Sequence, residues 1–66
     1  MQLKLNDQPI ETRASSLHEL LEENAFLHKT GIAVAINDRV IQRSQWADKQ
    51  LNEHDIVLVI TAAAGG

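Results

Sequence analysis

The chain closes on Thr61-Ala62-Ala63-Ala64-Gly65-Gly66, a run without one large side chain, and its last group is a backbone carboxylate. A carboxylate is a poor acyl donor until one oxygen becomes a good leaving group. Reaction with ATP provides that group as an acyl-adenylate, and a sulfur nucleophile on a partner can then displace AMP. A protein that delivers its own terminus into an ATP site has to thread a narrow channel. Alanine and glycine have the least width for this, and glycine reaches backbone angles closed to other residues. A terminus that projects from a last strand also reaches a partner without unfolding anything. Small residues are equally common in tails that do nothing. With glycine at roughly 7% of residues, a terminal Gly-Gly arises by chance in about 0.5% of chains. The dipeptide alone is therefore ambiguous, and what precedes it decides.

No other group competes for the chemistry. The chain has no cysteine, which removes disulfides and thiolate metal sites together. His18, His28 and His54 match no zinc spacing and read as surface residues. Glu19, Glu22 and Glu23 read as the solvated side of a helix, and paired-carboxylate catalysis needs a pocket of ~300 Å³ that so small a chain is not expected to hold. Trp46 reads as a plug at one end of the core. The expectation is no catalytic residue, no metal and no bound cofactor, with ATP belonging to an activating partner.

Size and charge narrow the classes further. Sixty-six residues make one domain near the lower limit for folding without staples, and an apolar fraction of 44% is enough to attempt one core. The longest apolar runs, Ile32 to Ile36 and Ile56 to Ile60, are far too short to span a membrane. No basic segment followed by an apolar one marks a secretion signal, so a cytoplasmic address is expected. The net charge is −3, and Lys4, Arg13, Lys29, Arg39, Arg43 and Lys49 are scattered rather than clustered. Such a surface does not track phosphates, and Phe26 and Trp46 are too few aromatics for base stacking.

The elements that must position the tail follow from periodicity. Leu3 and Leu5 alternate with polar residues as in a half-buried strand, Asn6-Asp7 reads as a turn, and a second strand is expected from about Gln8 to Thr12. Pro9 places that strand at a sheet edge or itself at the strand's start, because proline cannot donate to a ladder. Ser16 with Glu19 three residues on forms a capping box, and Leu17, Leu20 and Leu21 define one apolar helix face. Glutamates near the helix end oppose its dipole, so fraying is expected after Asn24. Phe26 and Leu27 are expected to tuck beneath the connection that runs to Gly31. Ile32, Val34 and Ile36 then share one strand face, with Ala33 and Ala35 on the other. Asn37-Asp38 turns into a short strand at Arg39 to Gln42, Ser44 to Ala47 forms a brief helical turn, and a polar cluster at 52–55 precedes the last strand, Ile56 to Thr61.

The order is β-β-α-β-β-β. For so short a chain the economical arrangement is an α+β β-grasp, or ubiquitin-like, fold: a mixed sheet of about five strands gripping one helix. The division is a β-grasp domain over residues 1–61 and a flexible C-terminal tail over 62–66. If Val57 and Val59 face the helix, Leu58 and Ile60 lie on the open face of the sheet as an aliphatic patch beside the tail, suited to docking a partner.

With this organisation the sequence resembles the ThiS family of sulfur carriers of thiamine biosynthesis. The resemblance covers nearly the whole chain and rests on Leu3-Lys4-Leu5-Asn6, Leu17-His18-Glu19-Leu20-Leu21, Ile32-Ala33-Val34-Ala35-Ile36-Asn37, Val40-Ile41, Arg43-Ser44-Gln45-Trp46, Leu51 to Asp55 and the terminal Gly-Gly. Arg43 to Trp46 is the most discriminating internal piece. The resemblance implies that Gly66 is adenylated by a ThiF-type enzyme and converted to a thiocarboxylate. That group would donate sulfur to a ThiG-type thiazole synthase, with Gly65 as the flexible residue before it and Ala62, Ala63 and Ala64 as the rest of the tail. Two positions depart from the family: Asp38 follows Asn37 where glycine is common, and Ala63 stands where a larger aliphatic is usual. Two other fates of the same carboxylate remain open, a MoaD-like carrier for molybdopterin synthesis and a ubiquitin-like modifier that conjugates to lysine.

Overall fold

Alternating apolar residues become sheet faces in the computed structural model, which describes residues 1–27 and 30–61. Strands β1 (Gln2–Leu5) and β2 (Gln8–Glu11) form an antiparallel hairpin, followed by helix α1 (Leu17–Glu23). Strands β3 (Ile32–Ile36) and β4 (Arg39–Ile41) make a second hairpin, and a 3-10 turn at Arg43–Gln45 leads towards β5 (Ile56–Thr61). The sheet order is β2-β1-β5-β3-β4. β5 therefore lies in the middle, parallel to β1 and antiparallel to β3. β2 is an edge strand, as Pro9 requires. This is the mixed five-stranded sheet and single helix of the β-grasp arrangement.

The core is the single layer between sheet and helix. Leu3 and Leu5 of β1, Val34 and Ile36 of β3, and Val57 and Val59 of β5 face Leu17, Leu20 and Leu21 of α1, and all nine are buried. Trp46 closes one end of this layer. Its indole is buried, its Nε1 donates to the Ile41 carbonyl at 3.0 Å, and the Arg43 guanidinium lies 4.6 Å from the ring centroid. The indole thus supplies apolar area while its one polar atom is satisfied. Phe26 and Leu27 are half-buried and pack against the same cluster.

Both ends of α1 are built differently from a bare seven-residue helix. At the start, Ser16 accepts from the Glu19 amide, and the Glu19 carboxylate accepts from the Ser15 hydroxyl at 2.7 Å, the Ser15 amide at 2.8 Å and the Ser16 amide at 3.3 Å. The Ser15 hydroxyl, then its amide, hold the Glu19 carboxyl below its ordinary range. At the end, expected fraying is replaced by a Schellman cap: Ala25 takes φ 63°, the Phe26 amide donates to the Leu21 carbonyl at 2.8 Å, and the Ala25 amide donates to the Glu22 carbonyl at 3.3 Å. Glu23 is also not merely solvated, because it accepts from the hydroxyl of buried Thr12 at 2.6 Å. The segment before β5 pins the helix from outside. Leu17 N donates to Lys49 O, Leu51 N to Ser15 O, and Ser16 bridges Gln50.

Alanine at a left-handed C-cap carries a steric penalty of about 1 kcal/mol that glycine lacks. Ala25→Gly is expected to raise stability by up to about 0.6 kcal/mol after the entropy of glycine in the unfolded chain is counted. Urea denaturation would show it as a higher midpoint with unchanged slope, and a lower midpoint would contradict the cap geometry.

Candidate functional site

β5 is the last described element before the C-terminal segment. Its side chains alternate between Val57 and Val59, buried against α1, and Ile56, Leu58 and Ile60 on the opposite, open face. The register on β3 extends that open face sideways: Leu58 stands opposite Ala35, which stands opposite Val40, and Ile60 stands opposite Ala33. Ile56 is 53% exposed, Leu58 42%, Ile60 52% and Val40 74%. Four large aliphatics separated by small alanines make a continuous apolar surface, more than isolated exposed residues would account for. Leu58 and Ile60, expected on this face, are there. Ile56 and Val40 were missed, although the same alternation places Ile56 and the hairpin register places Val40.

The strand is held at its flanks by asparagine side chains. Asn37 Oδ1 accepts from the Ile56 amide at 3.0 Å, and Asn37 Nδ2 donates to Asp55 Oδ1 at 3.0 Å. The other carboxylate oxygen of buried Asp55 accepts from the Asn52 amide at 2.8 Å. On the β1 side, Asn6 Oδ1 accepts from the Val59 amide at 2.8 Å. Asn6-Asp7 and Asn37-Asp38 all adopt positive φ, between 50° and 69°, the paired left-handed geometry of two-residue hairpin turns. Asp38 fills such a position without glycine. The two turns border a concavity of about 250 Å³ lined by Asp7, Ala35, Asp38, Ile56, Val57 and Leu58.

Other candidates resolve into structural roles. A larger polar cleft of about 440 Å³ lies at the start of α1, lined by Ser15, Ser16, His18, Glu19, Ala47, Asp48 and Gln50, so the chain does hold more concave volume than its length implied. Its serines and Glu19 are occupied by the capping network. His54 serves the backbone, with φ 69° and its amide donating to the Gln2 carbonyl at 2.7 Å. Among the described residues, no three histidine or acidic side chains converge as a metal site would require, and no helix is long and apolar enough to cross a membrane. His28 and the tail residues Ala62, Ala63, Ala64, Gly65 and Gly66 lie outside the described residues.

Known proteins align with this chain over its full length. The sequence profile of the ThiS family matches residues 3–66. The sulfur carrier protein ThiS of Escherichia coli (strain K12) is 37% identical over 67 residues, covering all of both chains. A crystal structure of a thiamine biosynthesis protein (ThiS) from Geobacter metallireducens superposes with a TM-score of 0.84 at 22% identity, again over all of both chains. The solution structure of a thiamine biosynthesis protein from the same organism gives 0.77, covering all of this chain and 88% of that one.

The two faces of β5 should respond oppositely to charge. Leu58→Asp is expected to change stability by no more than about 0.5 kcal/mol, whereas Val57→Asp places a carboxylate in the core and unfolds the domain. Circular dichroism melts of the two variants check the assignment; equal losses would contradict it.

Proposed function

The chain belongs to the ThiS family, and on that premise we propose that it is a sulfur carrier of thiamine biosynthesis that works through the carboxylate of Gly66. A carboxylate oxygen of Gly66 attacks the α-phosphorus of ATP on the adenylating partner and pyrophosphate leaves. A sulfur source at the oxidation level of sulfide then attacks the acyl carbon, and AMP departs with the original oxygen. One carboxylate oxygen is thereby exchanged for sulfur, and the thiocarboxylate passes that sulfur to a thiazole-forming synthase. ThiF-type and ThiG-type enzymes are the partners this reading names. The carrier is a substrate of those enzymes and supplies no catalytic group, and it would work in the cytoplasm beside its ATP-using partner. Family membership favours this fate over molybdopterin synthesis or conjugation to lysine.

The observation that carries the reading is the position of β5. The segment that ends in Gly65-Gly66 follows the central strand directly, and that strand carries the apolar face of Leu58 and Ile60. One partner surface can therefore meet that face and receive the segment that follows it. We assign this face to the adenylating enzyme.

Intact mass spectrometry after incubation with a cognate adenylating enzyme, ATP and a sulfur source should show the gain of sulfur replacing oxygen, localised to Gly66. A chain lengthened by one residue, or lacking Gly66, should remain folded and show no gain. Sulfur loading of the lengthened chain would refute the proposal. In the same assay Leu58→Asp should load at least about tenfold more slowly at limiting enzyme, as expected when a charge enters an apolar contact. Unchanged loading would remove the open face from the docking surface.

A further inference from the structure

β5 is not held equally along its two sides. β3 pairs with it from Val57 as far as Thr61, opposite Ile32. β1 pairs with it only through Lys4 opposite Ile56 and Leu5 opposite Val57. After Leu5 the chain turns away, with Asn6 at φ 52° and Asp7 at φ 69°. Asn6 nevertheless continues the ladder twice. Its amide donates to the Val57 carbonyl at 2.9 Å, and its side-chain Oδ1 accepts from the Val59 amide at 2.8 Å. The side chain thus replaces the backbone carbonyl that a longer β1 would have offered. Val59 is the last residue of β5 anchored on both sides among the described residues, and it lies seven positions before Gly66.

We infer that Asn6 is a positioning residue for delivery of the C-terminus: its amide oxygen fixes Val59, and so the point from which the terminal segment is presented to the adenylating enzyme. The inference rests on the proposed role of Gly66. Seven residues reach at most about 23–25 Å when extended, so the base of that segment sets how far Gly66 can enter a partner. Losing the Asn6 acceptor leaves Val59, like Ile60 and Thr61, paired only to β3, and the ordering this stretch then requires has to be met when the complex forms. Asn6 meets that cost at folding, which is preorganisation. The loss should appear in KM for the carrier, because ordering precedes adenylation and is common to bound ground state and transition state.

Positive φ supplies a clean test. Asn6→Gly removes the acceptor without backbone strain, Asn6→Ser shortens its reach as a milder version, and Asn6→Asp keeps it. Asn37→Gly serves as the control for structure alone, because it removes the equivalent side-chain acceptor at Ile56, at the opposite end of β5. Amide hydrogen exchange should show Val59 about tenfold faster in Asn6→Gly and near wild type in Asn6→Asp, the size of one lost hydrogen bond. In ATP-dependent loading, KM for the full-length carrier should rise about tenfold in Asn6→Gly, less in Asn6→Ser, and return towards wild type in Asn6→Asp, with kcat unchanged. Asn37→Gly should leave KM unchanged. A wild-type KM in Asn6→Gly, or an equal rise in Asn37→Gly, overturns the positioning role while leaving the Gly66 reading intact. A wild-type chain that is never loaded overturns both.

Discussion

The parallel contact between β1 and β5 is the constraint on which the rest depends. It joins residues about fifty positions apart and places the strand nearest the C-terminus between the two hairpins. Without it the β1–β2 hairpin would be an isolated ribbon, which is marginal in water at best. With it, Leu3 and Leu5 share one surface with Val34, Ile36, Val57 and Val59, and α1 has a single apolar floor to cover. The same contact fixes which side chains of β5 are left outside. Burial of Val57 and Val59 forces Leu58 and Ile60 outwards, since a strand cannot bury both parities against one helix. The proposed docking face is thus a by-product of core formation, available at no further conformational expense.

Small size makes polar side chains part of the backbone's hydrogen bonding. Asn6, Asn37, Asp55, Ser16 and Glu19 each bind a main-chain amide that the short strands or the seven-residue helix leave without a partner. In a longer domain these amides would be met by additional ladder or helical turns. Here five side-chain oxygens stand in for them, and among the described residues no buried side-chain nitrogen or oxygen lacks a hydrogen-bond partner. Such groups are sensitive points, because losing one leaves an amide with no replacement nearby.

Legibility in the sequence followed how local each signal was. The limits of β5, the alternation in β3, the Ser16–Glu19 box and the plug role of Trp46 could be read because each rests on neighbouring residues or a short period. The helix ends at Asn24 as expected, but the cap that closes it is a matter of backbone geometry at Ala25, which the charges of Glu22 and Glu23 do not reveal. Alanine gives no warning that it will take a left-handed angle. Glu23 looked solvated because its partner, Thr12, belongs to a segment whose burial has no periodic signature. The pairing of Lys49 to Leu51 with Ser15 to Leu17, and the reach of Asn6 to Val59, join segments far apart in the chain. For the site, alternation reached Leu58 and Ile60, but Val40 needed the register of a hairpin that only the structure fixes.

The central placement of β5 also bears on how the protein comes into being. A nascent chain that has emerged only as far as β4 holds two hairpins and a helix with no strand between them, and half of the sheet's apolar face has nothing to join. Non-local pairing of this kind forms late, after loop closure has been met. Folding therefore waits for β5, and a polypeptide terminated before it exposes its leucines and is open to proteolysis rather than accumulating. A chain that ends before β5 lacks the strand that joins the two hairpins, whereas one that ends beyond Thr61 keeps every described pairing, so folding tests for β5 and is blind to the residues that follow it.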